Sequence, residues 1–398
     1  MKKFKLHDLR KILLIVFTLS VINNGCTLET SSQYTYQIPD KINDGLNVGA
    51  LEEVNIESAY IVDAVNEIYN GKFKEVHSML IYKNNKLVLE EYFQGHKYQW
   101  DAPYHHGKLV QWDNTMLHGA KSVTKSITST CIGIAVDQGF IESVHQSIFE
   151  YLPEHQHLKN DGKDKITIEH LLTMTSGLKW DEWGAPLSSS SNDIVGLWFQ
   201  DKDPVTSILE RPLVNEPGTS FTYSGGNMIV LGEILKNATN TPIDTFSRKY
   251  LFEPLDIDSS NWAMRFEGGV IEAAGGLELT PRDMAKIGVT FLNKGEWDGK
   301  RIVSEQWVEK SAAPYKRNLG INIPGVGSGK NGYSYSWWIK TYLIAGKKID
   351  LYNAGGWGGQ EIIVIPELNT VVVFTGGNYQ SRVKVFNILE KNIIPAIL

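Results

Sequence analysis

Disulfides are scarce by composition: only Cys26 and Cys131 occur in 398 residues. A disulfide-built scaffold is therefore excluded, and stability must come from a packed core, which a chain of this length can bury. No excess of basic charge exists either. Lysine and arginine total 39 against 45 acidic residues, a formal net charge of −6, which argues against nucleic acid as the main partner. There is no internal repeat and no low-complexity tract. His105-His106, His155 and His157 read as residues of solvated loops rather than as a metal site, and no cofactor is expected. "GVGSGKNG" (325–332) imitates a phosphate loop. Pro324 stands where its first glycine belongs and Asn331 replaces the Ser/Thr, so it reads as a flexible loop.

What is present is ordinary for a soluble globular protein: 42% hydrophobic and 21% charged residues, enough for one large domain or two. The 11 Trp and 17 Tyr supply core filler and walls for a binding cleft. The N-terminus differs from the rest. "MKKFKLHDLRK" is basic, "ILLIVFTLSVI" is an apolar run of 11, and "NNGC" follows. A charged segment, a short apolar segment and a small residue before a cut describe an export signal over residues 1–26. The run is shorter than the ~20 residues a bilayer span requires. Gly25-Cys26 resembles the end of a bacterial lipoprotein signal, with Cys26 lipidated, although Asn23 departs from the usual aliphatic residue. An ordinary cleaved signal and an uncleaved anchor are the other readings. The expectation is an extracytoplasmic protein held at a bacterial membrane by its N-terminus. Residues 27–55 are polar with little periodicity and read as a tether. Cys131, in an apolar helical pattern, reads as a small buried hydrophobe.

Strand patterns lie at both ends of the chain. "VHSMLIYKNNKLVLEEYF" (76–93) is a hairpin turning at Asn84-Asn85, and "EIIVIPELNTVVVFTGG" (361–377) is two strands around Pro366–Asn369. Helical patterns fill the middle: a stripe through Ile127, Cys131, Ile134 and Ala135 stopping at Gly139, then 166–177, 225–240 and 281–295. "VKVFNILEKNIIPAIL" closes the chain as a helix. The order implies an α+β fold, an antiparallel sheet built from both termini and flanked by helices, with a mainly helical region inserted.

Ser-x-x-Lys occurs three times, at Ser122–Lys125, Ser176–Lys179 and Ser381–Lys384. Ser176 falls at a helix C-terminus, whose carbonyls oppose developing negative charge. Ser381 has no second base or Gly-rich wall nearby. Ser122 begins a long apolar helix, at the positive end of its dipole and among unpaired N–H groups, with Lys125 on the same face. Ser122 is therefore the candidate nucleophile. Its hydroxyl needs a base. A solvated lysine, with an ordinary pKa of ~10.4, is almost wholly protonated at pH 7, so a catalytic Lys125 must be withdrawn from water. In "NEPGTSFTYSGGN" (215–227), Tyr223 stands between a Pro-Gly turn and a helix, where it can pass protons as a second acid/base.

On the stretches "KSVTKS", "ITIEHLLTMTSGL", "EPGTSFTYSGGN", "LFEPLDI", "AAGGLELTPRDMAKIG" and "NAGGWGGQEIIVIP", the chain resembles the serine β-lactamase-like hydrolases. It is similar to the class C β-lactamase and esterase branch, and within that to the 6-aminohexanoate-dimer hydrolase type. The resemblance covers roughly residues 60 to 398 and gives residues 56–398 as the hydrolase domain. It implies an acyl-enzyme on Ser122, with Lys125 as base and Tyr223 as the second-motif acid/base. Two departures stand out. The second motif, often Tyr-x-Asn, reads Tyr223-Ser224-Gly225 and lacks the amide. The third, usually Lys/His-Thr/Ser-Gly, is best matched by Asn353-Ala354-Gly355 running into Gly356-Trp357-Gly358-Gly359, without a cation for a substrate carboxylate. The Gly-rich backbone near Gly356 or Trp357 can still supply an oxyanion N–H. "WDEW" (180–183) and Trp337-Trp338 read equally as cleft walls or as packing, and Asp181 and Glu182 as solvated, although a carboxylate at a cleft rim could bind an amino group. The expected partner is a small ester or amide. The rival activities are a β-lactamase or D-alanyl carboxypeptidase acting on cell-wall-like substrates. A non-catalytic binding protein of the same fold is the rival of another class. Oligomeric state is not legible.

Overall fold

The computed structural model describes residues 34–316, 318–326, 328–380 and 385–398. The export signal, Cys26 and the Ser381–Lys384 pair lie outside the described residues.

Ten strands matter here: β1 (Val76–Lys83), β2 (Lys86–Tyr92), β3 (Gln94–Tyr98), β4 (His106–Gln111), β5 (Ile321–Asn322), β6 (Lys330–Ser334), β7 (Trp337–Ile344), β8 (Lys347–Gly356), β9 (Gln360–Ile365) and β10 (Thr370–Gly376). Eight of them form one sheet in the order β5-β6-β7-β8-β9-β10-β1-β2, antiparallel at every step. The expected hairpin at 76–93 forms. Asn84 and Asn85 both take left-handed backbone, φ 48° and 64°, as a two-residue turn between twisted strands requires. The last strand then pairs with the first, Met79 opposite Phe374, so the sheet is closed by residues from both ends of the chain. β3 and β4 form a separate ribbon.

The main helices are α1 (Ser58–Tyr69), α2 (Val123–Asp137), α3 (Gly225–Thr239) and α4 (Pro281–Leu292). Alternation along the strands gives the sheet two apolar faces. Val371, Val373, Ile362 and Val364 face one core, shared with α2, α3 and α4. Val372, Phe374, Ile363 and Ile365 face the other, shared with α1 and the C-terminal helical segment. The fold is α+β with the helical region inserted between the terminal strands, as the element order implies.

Two expectations change. Residues 34–55 are not a free tether: Leu46, Leu51 and Val54 are buried, and Val48 bridges to Leu87. The helix expected over 166–177 spans only Ile168–Leu172, because Met174 turns to φ 58°.

α2 is buried along Val123–Ala135 despite carrying six hydroxyl or ammonium side chains there. Burial of such groups is tolerated only when they are hydrogen-bonded. Ser126 donates to Ser336 O (2.6 Å), Ser129 to Tyr335 O (2.7 Å) and Thr128 to Ala273 O (2.8 Å). These bonds fix the rotation of α2 and hence where its N-terminus aims.

Candidate active site

Ser122 is the residue before α2, and Lys121 ahead of it has a left-handed backbone, φ 50°. Such a conformation is costly for a side chain and persists only where surrounding structure imposes it. The Ser122 hydroxyl caps no backbone N–H. It accepts instead from Lys125 Nζ at 3.0 Å. Lys125 is 3% exposed, and its Nζ also donates to Ala274 O at 3.0 Å. The requirement that Lys125 leave water is met.

Tyr223 packs against both residues. Lys125 Nζ sits 4.9 Å from its ring centroid, and the Ser122 side chain is its hydrogen-bonding partner. Burial first, then the neighbouring Glu182 carboxylate, push the phenol well above its usual range. Two tryptophans hold the ring flat: Trp183 stacks on it at 5.2 Å and Trp338 at 5.7 Å. Trp183 and Trp338 are thus cleft walls, whereas Trp337 is wholly buried core. Ser224 caps α3 by accepting from Asn227 N, which anchors the turn carrying Tyr223.

The Gly-rich segment reaches the same place. Asn353, Gly355, Gly356, Trp357, Gly358 and Gly359 line a cavity of about 290 Å³ together with Ser122 and Tyr223. Gly356 is required by close approach: a Cβ there would lie 2.5 Å from Ala120 O, in the turn that presents Ser122. A second cavity of about 510 Å³ also opens onto Ser122. It is mainly apolar, with Trp100, Ile194, Val195, Trp198, Phe199 and Met264 in its lining.

Ser176 is no rival. Its hydroxyl is buried and donates to Asn227 Oδ1 at 3.0 Å.

The solvated reading of Glu182 fails. Its side chain is 7% exposed; Oε2 accepts from Trp180 Nε1 (2.9 Å) and Gly225 N (2.6 Å), and Oε1 lies 3.8 Å from Lys125 Nζ. The carboxylate occupies space beside the position where the second motif usually carries an asparagine. A Cβ at Gly225 would meet Glu182 Oε2 at 3.1 Å and Ile194 Cδ1 at 2.7 Å, so the glycine makes the room. The missing amide was the sequence signal, but nothing in the sequence said what replaced it. Two further acids went unread. Glu272 is buried, accepts from Ala274 N at 3.0 Å, and is pushed up by burial against the pull of Lys125. Glu361, 3% exposed, accepts from Asn353 Nδ2 at 2.7 Å and is pushed well up by burial. Where the third motif usually holds a cation, this cleft holds a neutral amide backed by a carboxyl group.

The solvated-loop reading of the histidines also misled. His106 comes within reach of Glu75 and His96, and His155 pairs with Asp203 at 3.1 Å.

Comparison with known proteins agrees with this architecture. The sequence profile of the Beta-lactamase family matches residues 77–377. The 6-aminohexanoate-dimer hydrolase of Paenarthrobacter ureafaciens is 28% identical over 263 residues, 64% of this chain and 65% of that protein. A protein of Salmonella agona (strain SL483) named as a D-alanyl-D-alanine carboxypeptidase is 25% identical over 185 residues, 45% of this chain. The match spans only 41% of that relative's own length. Among solved structures, a family VIII carboxylesterase superposes with a TM-score of 0.63 at 15% identity, covering 90% of this chain and 100% of that one. The octameric penicillin-binding protein homologue of Pyrococcus abyssi gives 0.60 at 22%, covering 85% and 79%. With its sheet, its inserted helices and this profile match over most of its length, the chain belongs to the Beta-lactamase family, whose relatives here are named as hydrolases.

Proposed function

We propose that this protein is a serine hydrolase that cleaves an ester or amide through an acyl-enzyme on Ser122. The observation that carries the reading is the 3.0 Å contact between a buried Lys125 Nζ and Ser122 Oγ, with Tyr223 on the same hydroxyl. A neutral amine has two N–H donors and one lone pair. With one N–H donated to Ala274 O at 3.0 Å, the lone pair of the neutral amine can turn to Ser122 Oγ, 3.0 Å away, and take its proton, while the Glu182 carboxylate 3.8 Å off offsets the positive charge that forms. Ser122 Oγ attacks the carbonyl carbon as its proton passes to Lys125 Nζ. The oxyanion is held by backbone N–H groups at the Gly356–Trp357 wall. Its electron pair then returns, the C–O or C–N bond breaks, and Tyr223 delivers a proton to the leaving group, taking one from Lys125. Water releases the acyl group by the same steps.

The cleft chemistry supports neutral or ammonium-bearing substrates over carboxylates on the Gly-rich side, because Glu182 and Glu361 line it and Asn353 replaces the cation. The apolar cavity suits the hydrocarbon part of the substrate. A fluorophosphonate probe should label wild type and not Ser122→Ala, and p-nitrophenyl esters or linear amides should turn over faster than nitrocefin. Fast nitrocefin or D-alanyl peptide cleavage supports the cell-wall reading instead. No labelling of well-folded protein supports a binding protein. The location is also proposed, from the N-terminal signal: export with a lipid on Cys26, tested by labelled palmitate incorporation into wild type and Cys26→Ala. Among the described residues no helix is long and apolar enough to cross a membrane.

A further inference from the structure

We propose that Glu75, His96 and His106 form a binding site for a divalent transition-metal cation of the zinc type, behind one wall of the cleft. Each residue offers one ligand atom, and the three atoms lie within 4.8 Å of one another. Two imidazoles and one carboxylate are a donor set that zinc takes readily, leaving a fourth position to water.

The groups around the trio are arranged as supports for ligands. His106 Nε2 lies 2.9 Å from Gly377 O. A carbonyl only accepts, so Nε2 carries the hydrogen and Nδ1 keeps its lone pair. Histidines that bind metals characteristically donate their other ring N–H in this way. Glu75 is likewise steadied: Oε2 faces His77 Nε2 at 3.1 Å and accepts from His96 N at 3.0 Å. Glu75 Oε1 is thereby turned toward His96 Nδ1, 2.7 Å away. His77 is itself held by His118 at 2.8 Å, and both are buried.

The present arrangement is not fully closed around an ion. The His96 and His106 rings stack at 4.5 Å with 2° between their planes, and parallel rings cannot both aim lone pairs at one point. Metal–nitrogen bonds of ~2.0–2.1 Å also require the ligand atoms to draw together. His96 has a side chain about one-third exposed, so it has room to swing. Occupancy would reach the cleft through the chain: Gly377, bonded by His106, is followed by Asn378 and Tyr379, which line the Gly-rich cavity, and Tyr379 O accepts from Trp357 Nε1 at 3.0 Å.

The test is calorimetric titration of metal-stripped full-length protein with zinc chloride, followed by cobalt(II) absorption spectroscopy. Wild type is expected to bind one equivalent and to give the intense visible bands of a four-coordinate cobalt site. His96→Gln, His106→Gln and Glu75→Gln should each weaken binding at least ~10-fold, whereas His157→Gln should not. The proposal is overturned by two results: no saturable binding by wild type up to about 100 µM zinc, or unchanged affinity in the His96→Gln/His106→Gln double variant. Neither readout depends on hydrolysis, so failure here leaves the proposed chemistry at Ser122 untouched.

Discussion

Gly356→Ala is the sharpest probe of the third motif because it changes one methyl group and no charge. The added Cβ would sit 2.5 Å from Ala120 O, a backbone atom that cannot rotate aside. Reaching even a tight 3.0–3.4 Å contact requires β8 and the Ala120–Ser122 turn to separate by 0.5–0.9 Å. Catalytic groups tolerate roughly 0.5 Å of misplacement, and about 1 Å costs on the order of 100-fold. The expected loss in kcat/KM is therefore ~100-fold, or about 2.7 kcal/mol of transition-state stabilisation. Overpacking should also lower folding stability by ~1–3 kcal/mol. The assay is steady-state hydrolysis of the best p-nitrophenyl ester, with fluorophosphonate labelling rates and thermal melts alongside. Gly119→Ala serves as the control, since its nearest neighbour would be Lys121 Cε at an ordinary 3.6 Å. If Gly356→Ala keeps kcat/KM within threefold of wild type while folded, the wall does not position the reacting groups, and the oxyanion assignment is wrong.

Glu182→Gln keeps volume and one acceptor oxygen for Trp180 and Gly225 but removes the charge 3.8 Å from Lys125. A ~10–100-fold fall in kcat/KM with a folded protein is expected; an unchanged rate would confine Glu182 to packing. Burial, opposed in part by Glu278 and Glu272, pulls the Lys121 ammonium down to about 8. Its unfolded counterpart titrates near ~10.4, so between pH 8 and 10 the unfolded chain binds more protons and folded stability rises with pH. Lys121→Met should lose that rise, read as the difference in Tm across those pH values; parallel curves would refute it. Cys131 is fully buried and burial pushes its thiol up, so a thiol reagent should label it only after unfolding. Rapid labelling of native protein would contradict the burial of α2.

Much of the fold was legible because it rests on local rules. The Asn84-Asn85 turn, the unbroken apolar runs of β9 and β10 and the caps of α3 and α4 are each set by residues a few positions apart. The tether failed because Leu46, Leu51 and Val54 are spaced without period, and only a surface from elsewhere buries them. Ser122, Lys125 and Tyr223 were legible for a mixed reason. The first two share one helical turn, while Tyr223 came from its motif. Glu182 was not legible, since its charge is ordinarily a surface signal and its partners Gly225 and Lys125 lie 43 and 57 positions away in the chain.

The sequence by itself determined the element types, the sheet drawn from both termini and the serine–lysine pair, because short-range periodicity and a fixed helical spacing carry that information. Tertiary structure alone decided which acids enter the cleft, that Trp183 and Trp338 clasp Tyr223, and that His96 and His106 meet Glu75. Those contacts join residues far apart in the chain, and a buried charge is tolerated only where the whole fold has already assembled its partners.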